Sequence, residues 1–149
     1  RVEWVLKKGD TLHASSAAAM DEALADLAAQ KERDERRRLL WGEGDNRERM
    51  LRLCARFPSL AGFADLGRWD ADAVLAWVCS GISHGEALAG RFVLSVWNST
   101  TDWNEVAHED GLLEDGETLR RFDLFEAWGV WDDAHREAAL AWLRDPFWP

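Results

Sequence analysis

Residues 83–97 constrain this chain more than any other stretch. Ser83 and Glu86 have the spacing of a capping box. In that motif the serine oxygen accepts the N–H of the third helical residue, and the glutamate reaches back to the N–H of the cap. Behind it Leu88, Phe92 and Val96 fall on one helical line, and Ala89, Val93 and Trp97 on the next. Arg91 is the one charge after the first turn. A helix that is apolar on nearly every side must be enclosed by other elements. Those elements have to be amphipathic, and there have to be several.

The rest of the chain supplies them. Ser15 and Ser16 offer an N-cap to a helix over 17–41, roughly 37 Å long. Met20, Leu24, Leu27 and Ala28 stripe its first half. Residues 31–38, KERDERRR, charge its second half on all faces. Asp45 and Glu48 repeat the capping spacing, ahead of Met50, Leu53, Cys54 and Phe57, and Pro58 stops that helix. Trp69-Asp70 and Trp131-Asp132 each place an apolar residue before a capping aspartate. The first leads to Val74, Trp77 and Val78, the second to Ala138, Ala139 and Trp142. Leu119, Phe122, Phe125 and Trp128 are expected on one face of a helix ending near Gly129. Phe147 and Trp148 form an apolar tail expected to dock.

The reading is an all-α fold: a compact bundle of about six or seven helices around 84–97, forming a single helical domain over 15–149. Residues 1–14 are expected as an N-terminal extension or a small β-hairpin, from the β-prone run at Val2–Leu6 and the Lys8-Gly9-Asp10 turn signal. Ten tryptophans among 149 residues argue against disorder, because so much indole has to be covered. The most apolar run, 87–97, is interrupted by Arg91 and is far shorter than the roughly 20 residues a membrane span needs. No membrane association is expected, and the cytoplasm is the expected location. Cys54 and Cys79 lie on apolar helical patterns without CxxC spacing, so buried free thiols are expected. Arginine far outnumbers lysine, tyrosine is absent and Ile82 is the lone isoleucine. That usage suits a GC-rich bacterial genome.

Charge is unevenly divided. Residues 1–75 carry 13 basic and 14 acidic side chains, and residues 76–149 carry 5 and 14. The second half therefore repels nucleic acid. Asn98–Gly116 is acidic and expected to be irregular, with Trp103 its one indole. An EF-hand register starting at Asp102 puts Ala107 where glycine is required, and one placing Gly111 there starts at Val106. Neither fits. The helix-turn-helix spacing over 74–97 fails as a DNA reader, because its second helix lacks the polar and basic groups that face bases and phosphates.

No zinc-protease, phosphate-loop, dinucleotide or nucleophile-elbow motif is present. No metal or cofactor is expected. His84, Glu86, Asp132 and His135 are the residues from which a composite acid–base site could be built. Arg36, Arg37, Arg38 and Trp103 are the candidates for contacting a partner. The leading expectation is a protein–protein interaction module, an accessory subunit of a bacterial multi-component assembly, bound to another protein or to itself. An acidic inhibitor or nucleic-acid mimic is the first alternative. An enzyme using the His/Asp/Glu residues is the second, and the missing motifs weigh against it.

Overall fold

The computed structural model describes residues 2–42 and 44–149, with side chains from Ala17 onward. All regular structure in those residues is helical. The chain divides into two units, Arg1–Leu39 and Leu40–Pro149.

The first unit is carried by helix α1, Val2–Trp41. Residues 2–14, expected as an N-terminal extension or a small hairpin, continue this helix, and no strand occurs among the described residues. The physical reason is local. A two-stranded hairpin with no sheet or core beneath it is marginal in water. A helix satisfies its backbone within the segment, and Gly9 in its interior costs only about 1 kcal/mol. Met20, Leu24 and Leu27 stand 63%, 58% and 67% exposed along one line of α1. Gly42, with φ 72°, ends the helix in the left-handed conformation that glycine adopts without strain.

The second unit holds the core. Asp45 caps α2 (Asn46–Arg56) by accepting from the Glu48 N–H. Pro58 opens a 3₁₀ turn, Pro58–Leu60, that leads into α3, Ala61–Asp65. Asp70 caps α4 (Ala71–Val78) through the Ala73 N–H. Helix α5, His84–Trp97, begins with both bonds of the Ser83–Glu86 capping box in place. Then follow α6 (Trp103–Glu109), α7 (Leu124–Val130) and α8 (Asp133–Arg144).

Helix α5 packs against α2, the 3₁₀ turn, α4 and α7. Residues 88–94 and Val96 are all buried, Arg91 included. It meets α4 at Gly90, where a methyl group would collide with Val78 Cγ2 and sit 3.3 Å from the Trp77 ring. Gly90 thus has a packing role that outweighs glycine's poor helix propensity. Phe92 is the aromatic hub. Its ring lies 5.5 Å from Phe57, 5.2 Å from Phe122 and 5.5 Å from Trp142, centroid to centroid. The tail docks through Phe147: the Trp142 indole N–H donates to the Phe147 carbonyl and Phe147 is buried beside Trp41, while Trp148 meets Trp142 edge-on and stays 61% exposed.

Two stretches depart from expectation. Asn98–Gly116 is not irregular throughout, because α6 forms inside it. Asp102 accepts from the N–H groups of Asn104 and Glu105 and so starts the helix. Residues 117–123, expected as the first part of a helix, are non-helical, and Asp123 caps α7 only at Leu124. With the start moved, Phe125 falls outside the apolar face and is 90% exposed. Cys54 and Cys79 are free thiols, but only Cys54 is buried and Cys79 is part-exposed; burial pushes Cys54 up to about 12, where thiolate chemistry is suppressed.

Candidate functional site

Three of the four residues proposed for an acid–base site come together at the start of α8. Asp132 is the N-cap there, and its Oδ1 accepts from the backbone N–H of His135. The same oxygen lies 2.7 Å from His135 Nδ1. These bonds, the backbone one first, hold the Asp132 carboxyl below its usual range. His135 Nε2 lies 3.0 Å from the hydroxyl of Ser59, in the 3₁₀ turn. The imidazole is mostly buried between the rings of Phe57 and Trp131, with centroids at 6.0 and 6.3 Å. Glu86 shares a cleft of about 170 Å³ with Asp132 and His135. Its carboxyl is also held low, chiefly by the Ser83 hydroxyl and N–H that complete the capping box.

His84 is placed elsewhere. Its Nε2 sits 3.0 Å from Glu126, which also receives Arg120 at 3.3 Å. A capping-box helix turns its first residue away from its third, so His84 and Glu86 face different neighbours. Ser59 was not anticipated. It lies 76 positions before His135, and a serine after a proline carries no mark of a distant partner.

The arrangement is a hydroxyl–imidazole–carboxylate chain, the order in which a serine nucleophile is activated. Two features set it apart from a working nucleophile. The carboxylate is largely exposed and already committed to capping α8. The cleft beside His135 is lined by Ser83, Glu86, Trp131 and neighbours, while Ser59 stands outside that lining. At about 170 Å³ it is also smaller than the roughly 300–1,000 Å³ of most ligand sites. The chain ties the 3₁₀ turn to α8 across the aromatic core.

The proposed partner-contacting residues fall in both units. On α1, Arg36 pairs with Glu32 at 3.5 Å, Arg37 with Asp34 at 3.5 Å and Arg38 with Glu35 at 2.7 Å. These are exposed pairs within one helix, each worth a few tenths of a kcal/mol. Trp103 opens α6, packs half-buried on the core and donates its indole N–H to the Asn98 carbonyl at 3.3 Å. Among the described residues, no group of three or more His, Cys, Asp or Glu is placed to hold a metal, and no helix is long and apolar enough to cross a membrane.

No protein-family model matches the chain, and neither the curated proteins nor the solved structures contain a significant match.

Proposed function

We propose that the protein is an interaction module, an accessory subunit that binds another protein through α1. One observation carries the reading. Met20, Leu24 and Leu27 follow one another at four and three residues along α1 and are more than half exposed. The unit they belong to, Arg1–Leu39, is built on this helix, and among its described residues there is no second element. Lines of exposed leucine and methionine at this spacing are what a partner helix packs against. Small neighbours, Ala17, Ala23 and Ala28, let another backbone approach. The charged segment 31–38 follows directly, and its arginines orient the partner while contributing little affinity.

Site-specific photo-crosslinking in the source cells tests this. A probe at position 24 should yield a protein adduct of defined mass. A probe at position 22, about 200° around the helix, should not. Changing Met20, Leu24 and Leu27 together to Ser should reduce that adduct by about tenfold or more, equivalent to roughly 1.4 kcal/mol or more. The melting temperature should stay unchanged, because those side chains are exposed. Failure of position 24 to cross-link would overturn the reading.

The Ser59–His135–Asp132 chain favours a second reading, an enzyme with a composite site. There, Ser59 Oγ would attack the carbonyl carbon of an activated ester while His135 Nε2 takes its proton, the ester C–O bond would break to release the phenolate, and Ser59 would be left acylated. Ser59→Ala separates the two. If the chain is a packing clasp, the variant loses about 1 kcal/mol of stability, and the parent protein gives no Ser59-dependent burst with p-nitrophenyl acetate. A stoichiometric burst that disappears in Ser59→Ala would establish the enzyme.

A further inference from the structure

Arg91 is the unexplained charge of α5. It is only 8% exposed, yet among the described residues no carboxylate lies within ion-pairing distance of it. Its Nε donates to the Ala87 carbonyl at 3.4 Å, and its Nη1 to the carbonyls of Arg120 and Arg121 at 3.3 and 3.5 Å. Those bonds fix the guanidinium without pairing it, and burial lowers its pKa by more than the charge of Glu126, which lies beyond ion-pairing distance, restores. Nη2 has no protein acceptor among the described residues and is not among the enclosed, orphaned polar atoms.

Arg91 lines a cavity of about 200 Å³ between α5, α6 and the segment leading to α7. Arg120 and Arg121 line it too, as do Trp103 and Phe122, whose ring also packs on Phe92 and Trp131. Three arginines at one cavity is a concentration of positive charge in the acidic half of the chain. Arg120 is already paired with Glu126, whereas Arg121 has no ion-pair partner among the described residues. Asp102 lines the cavity as well, its carboxylate engaged in capping α6.

We propose that this cavity binds a small aromatic monocarboxylate. The guanidiniums of Arg91 and Arg121 take the carboxylate, and Trp103 and Phe122 take the ring. Guanidinium matches a carboxylate by parallel N–H donation. Size limits the apolar part, since an apolar cavity of about 150 Å³ holds one benzene ring. Asp102 limits the charge, because a second negative group on the ligand would meet it.

The test is a titration of the full chain with sodium benzoate at constant ionic strength, followed by amide and indole NMR. Saturable shifts of the Trp103 indole N–H are expected, with Kd on the order of 1 mM for so small a ligand. Benzamide, which keeps the ring and lacks the charge, should bind at least about tenfold more weakly. Arg121→Gln, at an exposed position that leaves the fold intact, should weaken benzoate by about tenfold. Inorganic phosphate should not saturate the same resonances. Absence of a saturable shift would overturn the proposal. So would equal binding of benzamide, an unchanged Kd in Arg121→Gln, or phosphate binding as tightly as benzoate.

Discussion

Replacing Phe92 with Ala is expected to destabilise the protein by about 3–5 kcal/mol. The side chain is 4% exposed and meets rings from four separate places in the chain: Phe57, Phe122, Trp131 and Trp142. Its removal leaves a cavity that those rigid rings cannot close, and it forfeits edge-to-face contacts worth roughly 0.5–1.5 kcal/mol each, not additively. Against a typical total of about 5–15 kcal/mol, this is a large share. The melting temperature should fall by roughly 10–25 °C for a unit of this size. Phe125→Ala is the matched control. The same chemistry at a site 90% exposed should change stability by no more than about 0.5 kcal/mol. Equal shifts for the two variants would remove Phe92 from the hub.

Trp41 is the second large effect. It is fully buried, its indole N–H donates to the Asp145 carbonyl at 3.0 Å, and its ring meets Phe147 edge-on at 5.2 Å. The Arg56 guanidinium lies 4.9 Å above the ring. Trp41→Ala should cost about 3–5 kcal/mol, and Trp41→Phe about 1–3 kcal/mol, because the phenyl ring restores apolar contact but leaves the Asp145 carbonyl without its donor. A double-mutant cycle with Phe147→Ala should show coupling of about 0.5–3 kcal/mol. Strict additivity would mean that the tail docks independently of Trp41.

Much of this architecture was legible because helix starts are written in short, local chemistry. Asp45, Asp70, Ser83 with Glu86, and Asp132 all cap as their spacing implied, and each bond joins residues three apart. The burial of α5 followed from its composition alone. The same local chemistry was overlooked at Asp102, where an acidic background hid the D-x-x-E spacing, and a seven-residue helix gives too little period to detect. Near 119–125 the apolar residues did repeat at helical intervals, but those before Asp123 reach the core from non-helical backbone. The site was less legible than the fold. Asp132 and His135 are neighbours on one helix turn, so their contact could be inferred. The convergence of Ser59 and Glu86 on them depends on tertiary packing, as does the gathering of Arg91, Arg120 and Arg121.

The Trp41–Asp145 bond closes a loop of 104 positions, nearly the whole second unit. A ribosome makes residue 41 long before residue 145, so the indole waits uncovered through most of synthesis. Until residues 145–147 leave the exit tunnel, the nascent chain carries an exposed tryptophan beside an empty seat for Phe147. Folding of this unit therefore waits for residues 145–147 to leave the exit tunnel, and until then the nascent chain exposes an apolar surface of the kind that chaperones hold.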